Sequence, residues 1–202
     1  MTVPRRRLLV ATGSAHKLIE LQRLFSDLPI DLVTLRDCGI TSEAPEDGAT
    51  FEENALQKAR WYADTSGEWT LADDSGIEVD VLNGAPGVYT RRYAGSNATD
   101  QQNYEKLLGD TSGAANRAAR FVCTMALVDP ATGSERTFRG ECAGTLTTAP
   151  RGAFGFGYDP IFEVDGRTMA ERTPSEKDAL SHRGRAAALV AATLRSELAQ
   201  RR

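Results

Sequence analysis

Residues 8–35 read LLVATGSAHKLIELQRLFSDLPIDLVTL, and this stretch decides the fold class. Leu8 to Ala11 is a short apolar run, the pattern of a buried strand. Thr12-Gly13-Ser14 follows as a turn. Leu18, Leu21, Phe25 and Leu28 then recur at spacings of three and four, which predicts a helix with one apolar face, ended by Pro29. Asp31 to Leu35 reads as a second strand. Strand, loop, helix, strand is the opening of an α/β fold.

Further along, Glu43 to Ala49 reads as a polar loop. Thr50 and Glu53 have the spacing of a capping box, so a helix starts there and carries Ala55, Leu56, Ala59, Tyr62 and Ala63 as far as Gly67. Thr70 to Ala72 predicts a brief strand that ends at Asp73-Asp74-Ser75-Gly76. Ile77, Val79 and Val81 alternate as a further strand. Thr99 with Gln102 and Thr173 with Glu176 are two more capping boxes, the second with Pro174 at the first helical position. Ala119 to Val128 and Arg136 to Leu146 predict two long antiparallel strands joined by a hairpin at Asp129-Pro130-Ala131-Thr132-Gly133, so the sheet is mixed. Arg183 to Gln200 predicts an alanine-rich terminal helix.

The chain has 202 residues with no internal repeat or linker, and we read residues 1–202 as one domain. Hydrophobic residues make up 41% and charged residues 26%, enough to build a core without disulfides. The net charge of -4 disfavours a general nucleic-acid binder, whose affinity comes largely from Lys and Arg. Cys38, Cys123 and Cys142 form no CxxC pair, and the chain has only two histidines, so a zinc site is not expected. Arg5-Arg6-Arg7 before Leu8-Leu9-Val10 is too short an apolar run for a leader peptide, and no run approaches the ~20 residues of a membrane span. A cytoplasmic protein is the expectation.

Four segments carry chemistry. Thr12-Gly13-Ser14-Ala15-His16-Lys17 sits where a strand gives way to a helix. Unpaired N–H groups at a helix N-terminus suit phosphate, and Lys17 adds a full charge. The segment lacks the Gly-Lys-Ser/Thr of a Walker A loop, and alone it also reads as a plain turn. Asp73-Asp74-Ser75-Gly76 sets two carboxylates side by side, and a divalent cation relieves their repulsion. Mg²⁺ commonly takes one or two carboxylates with phosphate oxygens. An Asp-rich turn is the alternative. Glu46 is a further loop acid, and Lys58 alone reads as a solvent-facing helix lysine.

Phe154-Gly155-Phe156-Gly157-Tyr158-Asp159-Pro160 places aromatics in a glycine-rich loop. Such rings stack on bases, worth ~1–3 kcal/mol per base in nucleic-acid systems. An aromatic packing cluster is the alternative. Lys177 with Ser181-His182-Arg183 gathers cationic donors about the junction of two helices, where helix capping is the plainer role.

Taken in order, these segments resemble the inosine triphosphate pyrophosphatase family, the dITP/XTP diphosphatases. The resemblance runs from Leu8 to Ala186. Its carriers are Ala11-Thr12-Gly13 with Lys17, Glu46-Asp47-Gly48, Thr50-Phe51, Glu53-Asn54-Ala55 with Lys58, and Ala72-Asp73-Asp74-Ser75-Gly76. Gly84-Ala85-Pro86-Gly87, Arg92-Tyr93-Ala94-Gly95, Gly155 to Phe162 and Ser181-His182-Arg183-Gly184 complete the set.

The resemblance implies an elongated α/β fold, a mixed sheet flanked by helices, in two lobes with the active site in the groove between them. It also implies a homodimer. It makes Asp74 the general base and a Mg²⁺ ligand, with Glu46 the second acid at the metal. It gives the triphosphate to Thr12, Gly13, Ser14, Ala15, His16, Lys17, Lys58 and Ser75. The base goes to Phe156, Gly157, Tyr158 and Asp159, with Lys177, His182 and Arg183 completing the nucleotide contacts. The family usually carries Asn where this chain has Ser14, a shorter side chain. The implied reaction is Mg²⁺-dependent hydrolysis of deaminated purine triphosphates to the monophosphate and pyrophosphate, which clears damaged precursors. A same-fold hydrolase for other modified nucleotides and a non-hydrolytic nucleotide-binding regulator are the alternatives.

Overall fold

The computed structural model describes residues 5–200. Seven strands form one open sheet in the order β2-β1-β3-β4-β5-β6-β7. β1 (Arg6–Val10) lies between β2 (Ile30–Thr34) and β3 (Trp69–Val79) and is parallel to both. β5 (Ser134–Leu146) pairs antiparallel with β6 (Phe162–Val164), and β6 pairs antiparallel with β7 (Arg167–Thr168). β4 (Ala118–Asp129) neighbours β5 through a short turn at 130–133, which permits only an antiparallel hairpin. The sheet is therefore mixed, as the alternating patterns predict.

The helices begin where the caps place them. In α2 (Phe51–Ser66), the Thr50 hydroxyl accepts from the Glu53 N–H at 3.1 Å, and the Glu53 carboxylate accepts from the Thr50 N–H at 3.1 Å. The same reciprocal bonds open α3 (Asp100–Asp110) and α4 (Pro174–Leu180). α5 spans His182–Gln200.

Two local expectations are corrected. α1 (Ala15–Leu24) stops before Leu28, with Phe25 as its C-cap. Ser26 and Asp27 are weak helix formers, and Pro29 disfavours helical backbone at Leu28. Leu28 is nevertheless buried. The second correction concerns Asp73-Asp74-Ser75-Gly76, which is no turn at a strand end. It lies inside the single eleven-residue strand β3. Pairing within the sheet outweighs the poor strand propensity of Asp and Gly.

The chain divides into two compact units. The first runs to Asp74 and adds Thr124–Arg139 and the chain from Ala186. The second comprises Ser75–Cys123 and Gly140–Arg185. In the first, Ala55, Ala59 and Ala63 recur on one face of α2 and are fully buried. They join Leu9, Ala11, Ala72 and Ala126 in one core cluster. Small side chains on both surfaces let the α2 backbone come close to the sheet. The second unit has an aromatic core in which Phe121 and Phe162 lie 4.5 Å apart, with Ile77, Leu107, Tyr158 and Ile161 around them. Among the described residues no helix is long and apolar enough to cross a membrane.

Candidate functional site

In the first unit, β1 pairs with β3 only through Trp69–Leu71, and one more hydrogen bond joins the Ala11 N–H to the Leu71 carbonyl at 2.8 Å. β3 continues past the carboxyl end of β1, so Asp73 and Asp74 emerge where the Thr12–Lys17 loop leads into α1. The rim outside the carboxyl ends of parallel strands is where open α/β sheets bind ligands. Ser14 is the N-cap of α1, and its hydroxyl accepts from the Lys17 N–H at 3.4 Å. Ser is among the residues favoured at such a cap, so it starts the helix without a longer side chain. Gly13, Ala15 and His16 are exposed, Thr12 is half-buried, and a Cβ at Gly13 would meet nothing within 4 Å.

Successive strand residues point to opposite faces, so the two acids do not form a side-by-side pair. Asp73 is buried, and its Oδ2 lies 3.0 Å from Lys17 Nζ. Asp74 accepts from Asn54 Nδ2 at 3.0 Å. Lys58 is buried rather than solvent-facing. Its Nζ donates to the Asp73 carbonyl at 3.1 Å and pairs with Glu46 at 2.9 Å. Burial pushes the Asp74 carboxyl above the ordinary carboxylate range. Lys17, Lys58 and the Asn54 hydrogen bond pull it down, and Asp73 adds to the rise. A carboxylate raised in this way is a better proton acceptor near neutral pH.

The structure thus brings Lys17, Glu46, Lys58, Asp73 and Asp74 into one cluster, with Asn54 bonded to Asp74. Asn54 stands in the motif but has no role in the sequence reading. The signal that marks it is its place one turn before Lys58 on the same helix face. Among the described residues no three acidic, His or Cys side chains are grouped to hold a metal. Asp74 and Glu46 offer two carboxylates, the hard oxygen donors that suit Mg²⁺ beside phosphate.

The second unit holds the aromatic loop. Gly155 has φ +79°, and a Cβ there would fall 2.1 Å from an Asp159 oxygen, so only glycine fits. The Phe156 N–H donates to that carboxylate at 2.8 Å, and Lys177 Nζ donates to it at 2.5 Å. Lys177 Nζ also sits 4.5 Å from the Phe156 ring centroid, with the Arg183 guanidinium at 5.8 Å. A ring so flanked by cations is half-buried and held in place. Tyr158 is turned inward, and its hydroxyl donates to the Thr90 carbonyl at 2.8 Å. Burial holds its phenol well above the usual tyrosine range.

Arg183 is buried and donates to the Ser75 hydroxyl at 2.8 Å. The His182 ring stacks on Phe121 at 4.7 Å. The Gly157 N–H donates to Asp100 at 2.7 Å, a tie across 57 positions that no local pattern announces. Phe156, Gly157, Tyr158, Asp159, Lys177, Ser75, His182 and Arg183 therefore all belong to this second unit. Tyr158 and Asp159 shape the loop from within it.

A model of the Ham1 family matches residues 8–193. The chain belongs to the Ham1 family. A relative from Geobacter sulfurreducens, named dITP/XTP pyrophosphatase, is 49% identical over 188 residues, 91% of this chain and 94% of its own. The solved Ham1 protein from Coxiella burnetii is 39% identical with a TM-score of 0.88, covering 95% of this chain and 99% of that one. A Mycobacterium abscessus structure titled nucleoside-triphosphatase / dITP/XTP pyrophosphatase is 45% identical with a TM-score of 0.74, covering 91% of this chain and 98% of that one. The mixed, open sheet flanked by helices is the fold of the Coxiella burnetii Ham1 structure and of the Staphylococcus aureus Ham1 protein, 36% identical with a TM-score of 0.86, covering 95% of this chain and 100% of that one.

Proposed function

We propose that this chain hydrolyses deaminated purine nucleoside triphosphates (ITP, dITP and XTP) to the monophosphate and pyrophosphate, with Mg²⁺ as cofactor. As a Ham1 protein it is an enzyme of the nucleoside triphosphate pyrophosphatase class, and the name carried by its relatives supports that class. The observation that carries the reading is the Asp74 carboxylate, raised by burial, hydrogen-bonded by Asn54 and flanked by Lys17 and Lys58.

The triphosphate goes to the Thr12–Lys17 segment and Lys58, with Ser75 as a further hydroxyl donor. Asp74 orients a water and takes its proton. The water oxygen bonds to the α-phosphorus, the bond from that phosphorus to the bridging oxygen breaks, and pyrophosphate leaves with the electron pair. Phosphoryl transfer depends mainly on positioning and charge stabilisation, which carboxylates and lysines supply without a covalent nucleophile. Asp74 and Glu46 would hold Mg²⁺, which supplies positive charge to the phosphate oxygens.

Phe156 stacks on the purine. Arg183 and Lys177 donate to a keto oxygen, which hypoxanthine and xanthine carry and adenine replaces with an amino group. A site built on such hydrogen bonds discriminates by ~10⁴ or more. GTP shares the keto oxygen, so its rejection falls to contacts at its amino group. A homodimer in the cytoplasm that clears damaged precursors completes the proposal. A pure nucleotide-binding regulator has no use for a water-activating acid.

The test is pyrophosphate release from ITP, XTP, GTP, ATP and dUTP, with Mg²⁺ and with EDTA. Mg²⁺-dependent release from ITP and XTP above the rest is the expected result. Preferred cleavage of dUTP would move the chain to the modified-nucleotide alternative, and no cleavage at all would leave only binding.

A further inference from the structure

Asn54 is a buried amide inside α2, only 3% exposed, and it makes two hydrogen bonds of opposite sense. Its Oδ1 accepts from the Gly48 N–H at 2.8 Å. Its Nδ2 donates to Asp74 Oδ2 at 3.0 Å. A backbone N–H can only donate, so Gly48 fixes which end of the amide is oxygen and turns the NH₂ toward Asp74. A flipped amide would set its NH₂ against the Gly48 N–H and its oxygen against the Asp74 carboxylate, losing both bonds.

We infer that Asn54 is a positioning residue that sets the rotation of the Asp74 carboxylate and ties it to the 46–48 loop. The inference rests on the reading of Asp74 as the proton acceptor. Three further observations support it. Lys58, one turn later on α2, makes the parallel pair of contacts, to the Asp73 carbonyl and to Glu46 of the same loop. Gln57 and Asp47 exchange two more bonds, at 2.7 and 3.3 Å. Gly48 approaches so closely that an added Cβ would fall 2.9 Å from Asn54 Oδ1. One face of α2 thus clamps the acidic strand and the Glu46 loop in fixed relation. A carboxylate that must meet a water at bonding distance gains from such fixing, because small misplacements near a reacting centre cost up to ~10²-fold in rate.

The experiment compares Asn54→Ala, Asn54→Asp and Asp74→Asn with the parent protein. It measures kcat and KM for pyrophosphate release from ITP, ITP affinity by calorimetry, and melting temperature. Asn54→Asp keeps an acceptor for the Gly48 N–H and loses the donor to Asp74, so it decides the question where Asn54→Ala melts early. The expected result is a fall in kcat on the order of 10²-fold in both Asn54 variants, with KM and Kd within about threefold of the parent. A parent-like kcat in folded Asn54→Asp would overturn the inference and leave Asn54 as a tether for Gly48 alone. A loss confined to KM and Kd would overturn it too, making the residue a support for substrate binding. An active Asp74→Asn would remove the underlying reading of Asp74, and it is separable because Asn54 is intact in that variant.

Discussion

Lys177 Nζ lies 2.5 Å from Asp159 Oδ2, and both side chains are almost wholly buried. The same carboxylate oxygen accepts the Phe156 N–H, so an ion pair anchors the loop that carries the proposed stacking ring. Removing one partner of a buried pair strands the other charge and costs about 3–5 kcal/mol. Lys177→Met is therefore expected to lower the melting temperature on the order of 10 °C and to raise KM for ITP. Thermal melts with steady-state kinetics check both, and an unchanged melting temperature would show that the pair does not anchor the loop.

Gly48 is a matter of space. A Cβ there would lie 2.7 Å from the Glu53 Cβ and 2.9 Å from Asn54 Oδ1. Glu53 closes the α2 capping box and Asn54 holds Asp74. Gly48→Ala is expected to cost about 1–3 kcal/mol by overpacking and to lower kcat with it. Urea denaturation midpoints and turnover on ITP measure the two effects together.

Tyr93 belongs to the Arg92-Tyr93-Ala94-Gly95 motif, and its hydroxyl donates to Asp110 at 2.5 Å. Burial and that hydrogen bond push its pKa up to about 12. The folded protein holds a proton that the unfolded chain releases near pH ~10. The associated stability is complete below that value and declines as pH rises toward the folded pKa. Ultraviolet titration of parent and Tyr93→Phe is expected to show no tyrosinate from this ring at about pH 10. A signal there that the variant lacks would contradict the assignment.

Asp129 shows the opposite sign. Burial works to raise its pKa, but Arg6 at 2.7 Å and the Ala131 N–H at 3.1 Å more than offset this and leave it lowered. Its contribution to stability is present above the unfolded carboxylate value of ~3.9 and is lost as pH falls through the folded one. The stability gap between parent and Asp129→Asn is expected to shrink between about pH 7 and about pH 3. A gap that stays constant over that range would mean Arg6 does not hold Asp129 ionised.

Much of this was legible in the sequence because capping and periodicity are local. Thr50 with Glu53, Thr99 with Gln102 and Thr173 with Glu176 each satisfy backbone groups within one turn, and all three boxes form. The helix carrying Ala55, Ala59 and Ala63 was legible, but the close packing of their face on the sheet appears only in the folded chain. The acidic motif reads as a turn because Asp, Ser and Gly are turn residues, and only the neighbouring strands make it continuous. Lys58 and Asn54 look like ordinary polar helix residues until β3 and the 46–48 loop are in place around them. The Asp100 tie to Gly157 joins a helix start to a distant loop, and nothing near either residue hints at the other. Local signals thus position the elements, while the partners of the polar side chains emerge only when the chain is folded.

The central claim is that water, deprotonated by Asp74, attacks the α-phosphorus. Hydrolysis of ITP in heavy-oxygen water, with the label traced in the products, tests it most directly. The account predicts label in the inosine monophosphate, none in the pyrophosphate, and no turnover by Asp74→Asn. Label in the pyrophosphate, or release of orthophosphate in place of pyrophosphate, would contradict it.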